Sequence, residues 1–120
     1  MVSQVQRISL QPDRTRSVSY WILFSPENGR IAVEKFEEHE EGYYDAILMD
    51  MRMPVMDGLT ATQEIRKLNR PDAANIPIIA LTANAFEEDV KQCLKAGMNA
   101  HLSKPVDIDL LKETLVRCFL

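Results

Sequence analysis

Hydrophobic positions recur along this chain in two rhythms, one helical and one of short unbroken runs. Ile31, Ala32, Val33 and Phe36 fall on one side of a predicted helix, with Glu34, Lys35, Glu37, Glu38, Glu40 and Glu41 covering the rest. Gly42 is placed to end it. Ala46–Met49 then reads as a short buried strand that delivers a carboxylate, Asp50, at its end. Leu59, Ala61, Thr62, Ile65 and Leu68 line a second helix, which stops before Pro71. Pro77–Leu81 is the next apolar run. Phe86, Val90, Cys93 and Leu94 return to helical spacing, closed by Gly97. Asn99–Leu102 is a brief third strand. Asp107 is then suited to cap a final helix carrying Ile108, Leu111 and Leu115.

Alternation of this kind predicts an α/β fold, a doubly wound parallel sheet with helices on both faces. The unbroken apolar runs agree, because parallel strands are buried on both sides. Ligands of such sheets bind outside the carboxyl ends of the strands. At those ends the sequence puts Asp50, Thr82 and the tripeptide Ser103-Lys104-Pro105. A carboxylate, a hydroxyl and an ammonium, supplied by three separate strands, converge on one rim. Asp50 could attack an activated phosphoryl group to form an acyl phosphate. Thr82 would donate to one phosphoryl oxygen and Lys104 would pair with another. Two anions brought together call for a divalent cation, most simply Mg²⁺.

Composition narrows the classes. The 120 residues make one domain, and 46% hydrophobic with 27% charged residues is ordinary for a globular protein. A net charge of −4 argues against a nucleic-acid binder. Cys93 and Cys118 are too few for a disulfide framework. There is no apolar run of membrane-spanning length and no signal-peptide pattern, so the expected compartment is the cytoplasm and no membrane insertion is expected. Asp57-Gly58 reads as turn and cap chemistry. His39 is expected on a solvated helix face, and Met49, Met51, Met53 and Met56 as packing residues.

The segments "ILMDMRMPVMDG", "IIALTANA" and "HLSKPVD", with "ENGRIAVEKF" before them, resemble the receiver domain of bacterial response regulators and hybrid sensor kinases over residues 27–120. The resemblance implies a flavodoxin-like sheet and a phosphoryl group accepted on Asp50 from the phosphohistidine of a histidine kinase or a histidine phosphotransfer protein. It implies that Thr82 and Lys104 sense that group and that the Lys104-Pro105 bond is cis. Asp50 and the Arg52 backbone carbonyl would be metal ligands, and His101 fills the position of a rotating aromatic switch, usually Tyr or Phe. Such a domain assists its own phosphorylation and is not an enzyme in the ordinary sense. "HLSKPVDIDLLKETL" is closer to a piece of a hybrid kinase than to a stand-alone regulator. An Asp-nucleophile phosphatase is excluded, because Arg52 stands where its second Asp is required.

Residues 1–26 depart from that pattern. Asp13 is the only one of the chain's 18 acids before residue 27. The family's first strand ends in two adjacent acids that hold Mg²⁺, followed by a helix and a second strand. "RISLQPD" (7–13) ends in Asp13, a candidate substitute, but Pro12 stands beside it; the alternative, Tyr20–Phe24 as the first strand with Glu27 as the acid, would break the match of "ENGRIAVEKF". Too few residues then remain before Glu27 for a helix and a strand. The first strand, helix and second strand are therefore expected to be degenerate or replaced, through a shifted reading frame or a variant N-terminus that pairs differently. Tyr20–Phe24 is the segment suited to fill the open sheet edge, in a homodimer or by strand exchange. Mg²⁺ is expected to bind weakly and phosphotransfer to be slow. The competing reading is a non-phosphorylatable pseudo-receiver, a protein-interaction module using the surface around His101 and residues 86–96.

Overall fold

The computed structural model describes residues 5–13, 16–24, 28–51, 56–83 and 87–119. β1 (Val5–Asp13) and β2 (Arg16–Phe24) form an antiparallel hairpin, with Val5 opposite Leu23 and Ser9 opposite Ser19. The pairing becomes irregular between Leu10 and Asp13, where Pro12 has no N–H to offer. Helix α1 (Gly29–Glu38), strand β3 (Ala46–Asp50) and helices α2 (Gly58–Arg66) and α3 (Pro71–Asn75) follow. The chain continues with β4 (Ile78–Thr82), α4 (Glu87–Ala96), β5 (Ala100–Ser103) and α5 (Ile108–Phe119). Five strands make one sheet in the order β1-β2-β3-β4-β5, parallel from β2 to β5.

The two faces of β3 show why its sequence is apolar throughout. Ile47 and Met49 pack with Phe36 of α1, Ile65 of α2 and Cys93 of α4. Ala46 and Leu48 pack on the other face with Ile22, Ile79 and the α5 residues Leu111 and Leu115. Successive side chains of a strand point to opposite faces, so both sets must be apolar. Each such buried leucine or isoleucine contributes about 2 kcal/mol.

Tyr20–Phe24 does enter the sheet beside β3, from within the same chain, as the last part of a strand that begins at Arg16. Its amino end is tied down locally: the Trp21 amide donates to Asp45 Oδ2 at 2.8 Å, and the Asp45 amide donates to the Trp21 carbonyl at 2.8 Å. Asp107 caps α5 as expected, accepting from the Asp109 and Leu110 amides at 2.9 and 3.2 Å. Gly97 follows α4 with φ of +106°, a conformation that favours glycine.

Three expectations need correction. Helix α1 ends at Glu38, short of Gly42, because a side chain from elsewhere stops it. The Arg70 guanidinium donates to the carbonyls of Phe36 and His39 at 3.1 and 2.9 Å, which satisfies the helix end. His39 is half-buried, with its ring stacked on Tyr43 at 3.8 Å, and does not lie on a solvated face. Pro71 does more than follow a helix. It occupies the first turn of α3, where its missing N–H costs nothing. Phe86 and Met53 lie outside the described residues.

Arg70 has further partners. It lies 4.5 Å over the Phe36 ring and grips both Asp72 carboxylate oxygens, at 3.0 and 2.8 Å. Asp72 Oδ2 also accepts from the Gly42 amide at 3.0 Å. Burial pushes the Asp72 carboxyl up, but the Arg70 hydrogen bond, the Gly42 amide and the guanidinium charge together hold it below the ordinary value. Helix α1, the loop to β3 and α3 are thereby joined at one guanidinium.

Candidate functional site

Asp50 lies at the end of β3, paired in register with Leu81 of β4, and Thr82 is paired with Ser103 of β5. Lys104 follows at once, and its amide donates to the Thr82 carbonyl at 2.8 Å. Three parallel strands of nearly equal reach therefore deliver three functional groups to one rim. The Lys104 ammonium closes on Asp50 Oδ2 as a direct ion pair. Asp50 is half-buried, while Lys104 keeps its stem in solvent. The Lys104-Pro105 bond is cis, as the resemblance implies.

Thr82 is the unusual member. Its side chain is 3% exposed, and Oγ1 has no hydrogen-bond partner among the described residues. A buried hydroxyl in that condition costs about 1–3 kcal/mol. Thr82→Val is therefore expected to raise stability by about 1 kcal/mol, a gain of a few degrees in melting temperature. A melting temperature that falls instead would show that the hydroxyl already has a partner.

Two glycines shape the backbone beneath Asp50. The Gly58 amide donates to the Met51 carbonyl at 3.1 Å, and a Cβ on Gly58 would lie 2.1 Å from the Asp50 carbonyl oxygen. The Gly29 amide donates to the Met56 carbonyl at 2.7 Å, with equally little room. The amino ends of α1 and α2 are thus pinned to the segment following Asp50. Sequence reasoning treated Gly58 as half of a turn. The "DG" pair signalled it, but only the fold shows whose carbonyl it makes room for. Asp57 is used as expected, accepting from the Thr60 amide at 2.8 Å to cap α2.

His101 sits inside β5 opposite Ala80 and is half-buried. Arg52 lies outside the described residues. Asp13 is a correction. In the antiparallel hairpin Val5 is the residue beside Leu23, so Asp13 is carried to the opposite end of the sheet. Eight residue steps at ~3.3 Å each put it on the order of 25 Å from the rim. It cannot share a cation with Asp50.

The fit of a divalent cation follows from these placements. Among the described residues, no group of three or more His, Cys, Asp or Glu is placed to hold a metal ion. Asp50 offers one carboxylate, and that carboxylate is engaged by an ammonium. Mg²⁺ requires several oxygen ligands in near-octahedral array. The described residues do not supply them.

A mostly parallel, flavodoxin-like sheet with this rim is the architecture of a signalling receiver. The chain matches the response regulator receiver domain family over residues 14–116, a span that takes in β2, and it belongs to that family. It is therefore a receiver domain of two-component signalling. It is 48% identical over 73 residues to histidine kinase 1 of Arabidopsis thaliana, covering 61% of this chain and 6% of that protein. It is 44% identical over 75 residues to sensor histidine kinase RcsC of Escherichia coli, covering 62% and 8%. The chain spans less than a tenth of either relative. The receiver domain of a sensor histidine kinase from Pseudomonas aeruginosa, solved with a magnesium ion in its active-site cleft, is 47% identical with a TM-score of 0.64, over 77% of this chain and 71% of that one. Among the described residues no helix is long and apolar enough to cross a membrane.

Proposed function

We propose that Asp50 is the phosphoacceptor of a phosphorelay, charged from the phosphohistidine of a histidine kinase or histidine phosphotransfer protein in the cytoplasm. The observation that carries this reading is the buried Thr82 hydroxyl, without a described partner and one strand away from the Asp50–Lys104 pair. A phosphoryl group on Asp50 gives that hydroxyl an oxygen to donate to. It also gives Lys104 a second anion, so the ammonium moves from carboxylate to phosphoryl without leaving the rim. In the transfer an Asp50 oxygen bonds to phosphorus, the bond from phosphorus to the imidazole nitrogen breaks, and the imidazole leaves with its electron pair. The domain takes part in one transfer and turns over no separate substrate. Its role matches that of a receiver within a hybrid kinase, the kind of protein its relatives are.

The cation is the weak point. With one carboxylate at the described rim, Mg²⁺ binds weakly and transfer is slow. That same shortage of ligands favours a second reading, a pseudo-receiver that binds partners without being phosphorylated. Incubation with acetyl phosphate, with and without Mg²⁺, separates the two by intact-protein mass. Slow uptake of one phosphoryl group, lost in Asp50→Asn and little changed by Mg²⁺, is the expected result. No uptake at saturating donor would establish the pseudo-receiver. Rapid, stoichiometric, Mg²⁺-dependent uptake would overturn the proposed impairment.

A further inference from the structure

Met51, the residue after Asp50, holds its sulfur against a thiol. Cys93 of α4 donates its S–H to Met51 Sδ at 2.8 Å, from a position that is 2% exposed. Both side chains lie on the sheet face that α1, α2 and α4 cover, where Met51 packs on the apolar cluster that includes Met49 and Ile65. Met51 is itself half-buried, whereas Met49 and Met98 are buried. Its backbone is fixed on both sides, because its amide donates to the Leu81 carbonyl at 3.0 Å and its carbonyl accepts from the Gly58 amide. A thioether that solvent can reach is readily oxidised to a sulfoxide, which turns a flexible apolar side chain into a polar, chiral one.

We propose that Met51 is a site of reversible oxidation by hydrogen peroxide, and that its sulfoxide slows phosphoryl transfer to Asp50. The consequence for transfer rests on the reading of Asp50 as the phosphoacceptor; the site itself does not. In the reaction a bond forms from the sulfur to one peroxide oxygen, the O–O bond breaks, and the other oxygen leaves with both protons as water. The sulfur gives up two electrons and the peroxide takes them. The geometry selects the face of the sulfur that reacts. A thioether sulfur carries two lone pairs, and the Cys93 thiol lies against one of them. Two sulfurs 2.8 Å apart leave no space for an oxygen between them. The oxygen therefore adds on the side away from α4, and a single sulfoxide epimer forms. A polar sulfoxide packs poorly against Met49 and Ile65, so the side chain withdraws from the cluster. Residue 51 moves with it and carries along the peptide bond that it shares with Asp50.

Peroxide treatment of the full chain, followed by peptide mapping and by acetyl phosphate uptake, tests the site and its consequence separately. Fragmentation of the peptide that holds both residues should place one added oxygen atom on Met51 and none on Met49. One of the two epimer-specific methionine sulfoxide reductases should remove it from that peptide completely, and the other should leave it in place. Cys93→Ala should give both epimers, because the blocked side of the sulfur is opened. Uptake should fall roughly tenfold on oxidation and return when the intact chain is reduced enzymatically. Met51→Leu, an apolar exchange of similar volume, should take up the phosphoryl group at the wild-type rate before and after peroxide. Oxidation that spares Met51, or a mixture of epimers in the wild type, overturns the site. Uptake that oxidation leaves unchanged, or that falls equally in Met51→Leu, overturns the consequence. A reduced wild type that takes up nothing defeats the reading of Asp50 instead, and the mapping and epimer results still decide the site.

Discussion

Arg70→Met is expected to lower stability by about 3 kcal/mol, a fall of roughly 10 °C in melting temperature. The methionine can still lie on Phe36, so apolar contact is largely kept. What disappears is every polar contact of the guanidinium: the Phe36 and His39 carbonyls lose their donor, and Asp72 loses its two bonds from Arg70 while keeping the Gly42 amide. The effect depends on pH in a defined direction. Asp72 is held below its ordinary pKa of 3.8, so its contribution is complete above that value and is lost as pH falls through the lower, folded-state value. In the variant the same burial acts without the guanidinium, and the folded-state pKa rises. The gap between the two proteins should therefore be widest near neutrality and narrow in the acid range, below about pH 4. Thermal melts across that range decide the matter. A gap that stays constant with pH would mean that Asp72 takes no part.

Gly58→Ala should act on the site as well as on the fold. The added methyl would stand 2.1 Å from the Asp50 carbonyl oxygen and 3.0 Å from the Met51 Cα, both backbone atoms that cannot swing aside. Either the start of α2 must retreat or the end of β3 must bend, at a cost of about 2–3 kcal/mol. Each movement shifts Asp50 relative to Lys104. Acetyl phosphate uptake should fall along with the melting temperature. Ala61→Gly, a buried change in the same helix, provides the comparison: it should lower stability and leave uptake close to wild type. Equal losses of uptake in both variants would mean that Gly58 matters only to stability.

The parts legible in the sequence were those with a local cause. Strands β3 and β4 announce themselves as apolar runs because each is buried on both faces, Gly97 marks a helix end by its backbone freedom, and Asp107 marks a helix start by its capping carboxylate. Asp50, Thr82 and Lys104 were legible as a set because the parallel topology puts strand ends together. Long-range causes were not legible. Nothing near Glu38 says that α1 stops there, since the group that ends it, Arg70, comes from more than thirty residues on. Tyr20–Phe24 could be seen as material for the sheet, but its pairing with Val5–Ile8 depends on the register of two strands whose intervening sequence carries no Asn-Gly or Asp-Gly signal. Reading Asp13 as a rim residue followed from assuming that the strand before it ran parallel to the others.

That reversed strand has a consequence for attachment. Were every strand parallel, a polypeptide preceding the first would arrive at the end of the sheet remote from Asp50. In this hairpin Val5 stands beside Leu23, near the carboxyl end of β2, so β1 begins at the same end of the sheet as the acceptor rim. The carboxyl-terminal helix finishes with Phe119 stacked on Tyr20 at 4.4 Å, well back from that edge. A purification tag or fluorophore at the amino end would therefore compete for space with a docking phosphodonor, and one at the carboxyl end would stay clear of it.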